Sequence, residues 1–316
     1  MIRLLATRIS TLIATLAVVS ALVFGVMNAL PGDPTLVILG IDSTPDGQAA
    51  LRARFGLDAP LGERYLAWIG GALTGDFGES YSFSVPVSEL IAERLPVTLP
   101  LALLAMVLTG IAALALGVGA ALHHGRPGDW AAMTLSQFGI AVPAFWLAIL
   151  LVLLFAVHLR WLPPGGFPGW DDPLAALRAL ILPATALALV QSAILARVTR
   201  SSILEVMRLD FARTARAKGL SRGQTMRRHV LPNALIPIVT IVGLQFANLV
   251  TGTIVIENVF YLPGLGRLIL QSITNRDLFT VQALVLFFAT VVVLANFLVD
   301  LAYILVDPRL RRPAAR

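Results

Sequence analysis

Six long apolar runs, each free of Asp, Glu, Lys and Arg, divide the sequence from one end to the other. The runs cover residues 9–32, 95–122, 130–157, 179–196, 230–256 and 278–299. A helix that crosses a bilayer needs about 20 mainly apolar residues, so each run is long enough for one crossing and too short for two. The pattern therefore predicts an all-α polytopic membrane protein with six transmembrane helices and both termini on the same side.

The composition supports this interpretation. The chain has 316 residues, of which 57% are hydrophobic and only 13% are charged, whereas about 25% of residues are charged in soluble domains. The net charge of +6 is not taken as a sign of nucleic-acid binding, because the basic residues flank the predicted spans. We expect the partner of this surface to be the lipid bilayer. The absence of cysteine excludes disulfides, thiolate metal sites and a cysteine nucleophile.

The segments between the apolar runs differ strongly in charge. Residues 31–96 contain nine acidic and four basic residues, whereas residues 197–229 contain nine basic and two acidic residues, a net charge of +7. Basic residues are retained on the cytoplasmic side when a membrane protein inserts. We therefore expect both termini and the loop 200–232 to be cytoplasmic, and residues 31–96 to be external.

Four parts are predicted along the chain. Residues 1–30 form an N-terminal transmembrane helix, and residues 31–96 form an external segment with short helices. This segment is too short and too rich in Gly, Pro and Asp for a large independent core. Residues 97–306 form a five-helix core that contains the cytoplasmic loop 200–232, and residues 307–316 form a basic cytoplasmic tail.

The loop contains signals for two short helices. Asp210 is a suitable N-cap for the first helix, and Gly219 is a suitable residue to end it. Ser221 then begins the second helix and has Gln224 three residues later, the spacing of a capping box. Charge alone indicates only a topology signal, because most basic cytoplasmic loops have no other role.

Small residues recur along one face of the first short helix. Ala212, Ala215 and Gly219 have helical spacing. We expect this stripe to let another protein surface approach closely, with the arginines on either side of it.

The loop resembles that of the binding-protein-dependent ABC importer permeases. Their pattern is Glu-Ala-Ala, three residues, Gly, nine residues and Ile-x-Leu-Pro. Here the corresponding positions are Arg213-Thr214-Ala215, Gly219 and His229-Val230-Leu231-Pro232, with every spacing kept. Arg213, Thr214 and His229 replace the family's Glu, first Ala and Ile.

The rest of the chain resembles the branch of this family that imports dipeptides, oligopeptides and nickel, as the first of its two paired permeases. The similar segments, in order, are residues 30–34, 55–61, 75–80, 94–99, 162–166, 212–221, 259–266 and 307–309. The resemblance implies a type I ABC importer transmembrane fold in a bacterial or archaeal plasma membrane. It also implies import of di- or oligopeptides, with nickel or glutathione as alternative cargo that the sequence does not distinguish.

The same resemblance implies the partners. They are a second homologous permease subunit, two ABC ATPase subunits and an extracytoplasmic solute-binding protein. The chain has no Gly-x4-Gly-Lys-Ser/Thr motif, so we expect it to be no enzyme and to bind neither cofactor nor metal. ATP and Mg²⁺ are expected on the ATPase subunits.

Two sets of residues are candidates for function. The resemblance assigns ATPase coupling to Asp210, Ala212, Arg213, Thr214, Ala215, Lys218, Gly219, Ser221, His229, Leu231 and Pro232. Four polar residues at membrane depth are expected either to join helices by hydrogen bonds or to line the translocation path, with the first role favoured. They are Gln191, Gln245, Asn248 and Asn296.

Two rival classes are disfavoured. A channel or secondary transporter typically has inverted repeats or ionisable groups near the middle of the membrane, and neither is evident. An intramembrane hydrolase typically has a His-Glu-x-x-His or Gly-x-Ser-x-Gly motif, and the sequence contains neither.

Overall fold

The structure is a computed structural model that describes residues 2–29, 35, 39 and 44–306. Apart from one isolated bridge between Glu79 and Pro86, the regular structure of these residues is helical. The first helices are α1 (Ile2–Ala29), α2 (Pro45–Arg54), α3 (Leu61–Thr74), α4 (Val87–Leu122), α5 (Pro127–Ala141) and α6 (Ala144–Leu151), which continues as a π-helical turn over Val152–His158. They are followed by α7 (Pro173–Met207), α8 (Asp210–Ala217), α9 (Arg222–Thr225), a second π-helical turn (Met226–Val230), α10 (Leu231–Val259), α11 (Leu265–Thr274) and α12 (Leu278–Val306).

Within the described residues, five helices are long and apolar enough to cross a membrane, but the third predicted crossing is not a straight helix. The run 130–157 is divided between α5 and α6, which meet at an angle of 104°. Val142 has extended dihedral angles (φ −86°, ψ 126°) just before Pro143. A proline disfavours helical geometry in the residue before it and has no N–H to donate, so the helix breaks here. Counting the bent pair as one span gives six crossings.

The described residues group into two compact units. One contains the residues up to Thr98 together with Pro263–Leu294, and the other contains Leu99–Leu262 together with the residues from Ala295 onward. The division after Thr98 and the grouping of residues 263–294 with the N-terminal part describe contacts within the folded chain, and the four parts predicted from the sequence stay a prediction. The predicted tail 307–316 and most of residues 30–43 lie outside the described residues.

Hydrogen bonds of Asp277 and Thr98 explain why residues 263–294 belong to the first unit. The buried carboxylate of Asp277 precedes α12 and accepts hydrogen bonds from the Ser80 hydroxyl and, at 2.9 Å, from the Thr280 hydroxyl. The backbone N–H of Leu265, at the start of α11, donates to the Thr98 hydroxyl at 2.8 Å. The same unit contains α2 and α3, which are short helices of the kind expected in residues 31–96.

In the second unit, α7 is the central helix and packs against α5, α6 and α10. Small residues let the helices come close, as is common in membrane bundles. A Cβ atom added to Gly117 of α4 would lie 2.6 Å from Cβ of Thr199 in α7. A Cβ atom added to Gly252 of α10 would lie 3.2 Å from Cδ2 of Leu187. α7 therefore has close neighbours along much of its length. It leads directly into the segment 210–232, which we call the basic loop.

Candidate functional site: the basic loop

The first short helix of the loop begins at Asp210, one residue earlier than expected. Leu209 is extended (φ −70°, ψ 150°) and occupies the N-cap position, while Asp210 is the first helical residue. The prediction that Asp210 caps α8 is therefore wrong, since Asp210 has helical geometry instead. Its carboxylate is 3.6 Å from Nη1 of Arg213, and both side chains are exposed, so this ion pair contributes little.

Gly219 ends α8, as the sequence predicted. Ala217 is the last helical residue and Lys218 is the C-cap, and Gly219 follows with φ +89°, the left-handed region that favours glycine. The Gly219 N–H donates to the Arg216 carbonyl at 3.0 Å, and the Leu220 N–H donates to the Ala215 carbonyl at 3.3 Å. These two bonds define a Schellman motif, which satisfies carbonyls that the helix end would otherwise leave unpaired.

The second short helix begins with the predicted capping box. The Ser221 hydroxyl accepts from the Gln224 N–H at 3.3 Å, and the Gln224 side-chain oxygen accepts from the Ser221 N–H at 3.0 Å. α9 then passes through the π-helical turn into α10 without a break. Hydrogen bonds thus fix the chain direction on both sides of Gly219, and the loop is a structured element rather than a flexible connection.

The small residues of α8 face the interior of this chain. Ala212 and Ala215 are 1% and 6% exposed. Ala212 belongs to an apolar cluster with Val206 of α7 and with Met226 and Val230 of the π-helical turn. The expectation that this stripe receives another protein is therefore wrong for Ala212 and Ala215, because their small size lets α8 pack against its own neighbours. Gly219 remains exposed.

The cluster beneath α8 reaches three membrane helices. Its members in these helices are Ala113 and Ala121 of α4, Leu195, Ala196, Ile203 and Val206 of α7, and Ala234 and Ile238 of α10. A force applied to α8 would therefore act on the ends of α4, α7 and α10 through direct apolar contact.

The outward surface of the loop combines cations with exposed apolar side chains. Among its exposed residues are Thr214, Ser221 and six cations: Arg213, Arg216, Lys218, Arg222, Arg227 and Arg228. Phe211 and Leu209 are also exposed, by 41% and 47%. His229 and Leu231 are half-buried, and Pro232 is exposed. A basic surface that also exposes apolar side chains is typical of a protein-binding site.

Arg200, one of the nine basic residues of segment 197–229, forms an ion pair inside the second unit. Arg200 of α7 donates to Asp129 at the start of α5, with 2.5 Å from Nε to Oδ1 and 2.7 Å from Nη2 to Oδ2. Asp129 is buried and also accepts from the Gly125 N–H at 3.0 Å. Arg200 therefore joins α7 to the turn before α5, close to where α7 leads into the loop.

The four polar residues predicted at membrane depth occupy different environments. Gln245 of α10 is buried and donates from Nε2 to the Gln191 carbonyl of α7 at 3.2 Å, the helix-to-helix role that was favoured for it. Asn248 and Asn296 are exposed on this chain. The structure therefore brings Gln191 and Gln245 together and leaves the two asparagines available to other surfaces.

Sequence reasoning missed two features of this site. The exposure of Leu209 and Phe211 depends on which face of α8 is buried, and the small residues at positions 212 and 215 could have indicated that face. The contact of Arg200 with Asp129 joins positions 71 residues apart, and a single sequence has no signal for such a pair.

Two family models match the chain. Residues 113–312 match the model described as binding-protein-dependent transport system inner membrane component. Residues 1–102 match the model for the N-terminal part of the membrane components of these systems.

Curated relatives match almost the whole chain. A protein of Brucella abortus (strain 2308), named as a permease of a peptide transport system, is 45% identical over 98% of this chain and 99% of its own length. A peptide ABC transporter permease of Sinorhizobium fredii is 39% identical over 96% of this chain and 97% of its own. A glutathione transport system permease of Salmonella typhi is 41% identical over the same shares, 96% and 97%.

Among solved structures, the crystal structure of an amino acid ABC transporter with histidines matches 68% of this chain and 93% of its own chain, with a TM-score of 0.51 and 19% identity. At this identity the match concerns the fold alone.

Proposed function

Because this chain belongs to the family of binding-protein-dependent transport system inner membrane components, we propose that it is the permease subunit of an ATP-driven peptide importer. The observation that carries this proposal is the 45% identity, over nearly the full length of both chains, to a protein named as a peptide transport permease. Similarity over the whole length includes the spans, the segments between them and the loop, rather than one motif.

The proposed assembly has four kinds of subunit. This chain pairs with a second, homologous permease to form the translocation path, two ABC ATPases bind on the cytoplasmic side, and a solute-binding protein delivers cargo from outside. The chain itself contains no phosphate-binding Gly-x4-Gly-Lys-Ser/Thr motif. Energy therefore enters through the ATPase subunits, which hold ATP and Mg²⁺.

The basic loop, residues 210–232, is proposed as the docking surface for one ATPase. Phe211 is the apolar anchor of the contact, and the surrounding cations attract acidic residues of the partner. Closure of the ATPases on ATP pushes α8, and the apolar cluster beneath it transmits that push to α4, α7 and α10. The bundle thereby changes between inward-open and outward-open packings, which is alternating access.

Charge distribution supports a topology in which α5 and α6 together make one crossing. Six crossings then place both termini, residues 123–126 and the basic loop in the cytoplasm, as the positive-inside rule requires. If the bent pair entered and left on the same side instead, residues 197–229, with their net charge of +7, would lie outside. This second arrangement conflicts with the rule at the most basic segment of the chain.

Cargo can be tested by uptake in a strain that lacks this gene. The strain should lose growth on di- to hexapeptides supplied as the only source of a required amino acid, and the restored gene should recover it. Glutathione as the only sulfur source and radioactive nickel uptake test the two alternatives, of which glutathione has a named relative at 41% identity. Unchanged peptide use with lost glutathione or nickel uptake would overturn the peptide assignment.

A further inference from the structure

The first unit contains a cavity of about 680 Å³ that the transport mechanism does not use. Its walls come from the end of α1, the end of α2, α3, the turn 76–81 and the first turns of α12. Ligand sites for small molecules typically measure about 300–1,000 Å³. The cavity is therefore large enough for a polar headgroup together with part of an apolar chain.

Two groups of aromatic rings contribute to the wall. Phe24 of α1 contacts Tyr65 and Trp68 of α3, with ring centroids 5.5 and 5.9 Å apart. In the second group, Tyr81 contacts Phe55 and Phe279, each with centroids 4.9 Å apart. The Ser20 and Tyr65 hydroxyls, 2.8 Å apart, also join α1 to α3. These contacts hold the cavity open between rigid walls.

The cavity lies at the level of a membrane surface. Its lining residues Phe24, Met27 and Asn28 belong to the last turns of the candidate span Ala6–Ala29. Aromatic residues are enriched at this level of the bilayer. α3 exposes Leu66 and Leu73, seven residues apart on one face, by 68% and 83%, which is typical of a helix that lies in the interface with its apolar side in lipid.

Charged groups of both signs line the same cavity. Arg64 is half-buried with its guanidinium 6.0 Å from the centre of the Phe24 ring, and among the described residues it has no carboxylate partner. Arg52 lies on the wall as well and is paired with Asp58 at 2.9 Å. Glu63 and Asp76 add two exposed carboxylates. The cavity can therefore receive an anion and a primary ammonium group together.

We propose that this cavity binds the headgroup of a phospholipid with an ethanolamine headgroup. The phosphate binds the Arg64 guanidinium, whose planar donors suit phosphate oxygens. The ammonium group donates to the carboxylates of Glu63 or Asp76, and one acyl chain lies along α1 beside Met27. α1 offers a suitable surface for the acyl chain, because only 17% of its most apolar stretch is buried within this protein.

The charges also predict which lipids bind weakly. A glycerol headgroup has no cation for Glu63 and Asp76, and these carboxylates repel its net negative charge. A choline headgroup has a cation but no N–H to donate. The ethanolamine lipid should therefore be preferred over both, which distinguishes a defined site from general attraction of lipid phosphate to basic residues.

The test uses the complete transporter, purified in mild detergent, washed extensively and analysed by lipid mass spectrometry. We expect about one ethanolamine phospholipid per transporter to be retained. Arg64→Gln removes the proposed phosphate ligand, and Ala67→Trp fills the cavity from an exposed lining position without changing charge. Each variant should reduce retention about tenfold, because a charge-assisted hydrogen bond is lost or the volume is occupied.

Arg126→Gln is the matched control, since Arg126 is an exposed arginine next to another candidate span and does not line the cavity. It should leave the retained lipid unchanged. Titration of delipidated transporter with ethanolamine, glycerol and choline lipids in nanodiscs gives the headgroup preference directly. Equal retention in wild type, Arg64→Gln and Ala67→Trp, or equal affinity for the three lipids, would overturn the proposal. Either result leaves the transport assignment intact, because lipid retention is measured without cargo.

Discussion

The Arg200 guanidinium and the Asp129 carboxylate form a two-point ion pair in which each carboxylate oxygen accepts a hydrogen bond, at 2.5 and 2.7 Å. Only 3% of Asp129 is exposed. The pair joins α7, which continues into the basic loop, to the first turn of α5. A charge this deeply buried depends on its partner, since it cannot recover the lost hydration from solvent.

Arg200→Ala should destabilise the protein by about 3 kcal/mol, the lower end of the range for a broken buried ion pair, because the Asp129 carboxylate loses its guanidinium partner and keeps only the contacts with the Gly125 N–H and the His124 ring. The measurement is thermal unfolding in nanodiscs followed by tryptophan fluorescence. Arg197→Ala is the matched control: Arg197 is exposed three residues earlier in α7 and makes only a 3.4 Å contact with Gln137. The double variant Arg200→Met with Asp129→Leu should recover most of the loss. Equal stability of Arg200→Ala and wild type would show that the pair contributes nothing.

Phe211→Ala should weaken binding of the ATPase while leaving this chain stable. Phe211 is exposed, so its removal changes stability by roughly 0.5 kcal/mol or less, whereas an aromatic anchor at an interface commonly contributes about 2 kcal/mol or more to binding. Binding of purified ATPase to the permease pair in nanodiscs measures the effect. Phe138→Ala is the control, because Phe138 is also exposed but lies on α5. Unchanged ATPase affinity in Phe211→Ala would remove this residue from the docking surface.

Local sequence signals predicted the local structure well. Five of the six charge-free runs each located one long apolar helix, the Ser221 and Gln224 spacing gave the capping box, and Gly219 gave the helix end. Each of these depends on residues within one or two helical turns, so a single sequence carries the necessary information. Asp210 is the exception within the loop: Leu209 takes the cap position, and the aspartate enters the first turn, where a carboxylate is also favourable.

Packing between distant parts of the chain was not predictable in the same way. Whether Ala212 faces a partner or its own chain depends on α7 and on the π-helical turn. The run 130–157 was predicted as a single crossing, and the angle of 104° at Pro143 depends on how α5 and α6 pack against α7. The grouping of residues 263–294 with the N-terminal unit depends on contacts of Asp277 and Thr98 with partners more than 160 residues away.

Single cysteine variants can determine the topology, because the chain has no native cysteine to interfere. A membrane-impermeant reagent applied to intact spheroplasts should label Ala50→Cys and leave Arg222→Cys unlabelled until the membrane is permeabilised. Both positions are exposed on this chain. Asp171→Cys, in the exposed turn after the bent pair, decides how that pair crosses. External labelling at 171 supports one crossing by α5 and α6, whereas labelling only after permeabilisation shows that the pair returns to the cytoplasm.

Gly219→Asp should abolish transport while the protein still inserts and pairs with the second permease. The left-handed φ of +89° makes any Cβ cost about 1 kcal/mol, and no atom lies within 4 Å of the position that a Cβ would occupy. The fold of this chain therefore loses only that strain. The carboxylate, however, introduces negative charge into a basic surface that is proposed to bind acidic residues of the ATPase.

Gly219→Asn separates strain from charge, because asparagine has nearly the same shape, tolerates the left-handed region and is neutral. It should retain most peptide uptake and most peptide-stimulated ATP hydrolysis by the assembled transporter. Arg222→Ala, exposed three residues later, should also have a small effect. If Gly219→Asn fails as completely as Gly219→Asp, bulk rather than charge blocks the contact. If Gly219→Asp transports normally at normal expression, the loop serves only as a topology signal and does not couple ATP hydrolysis to transport.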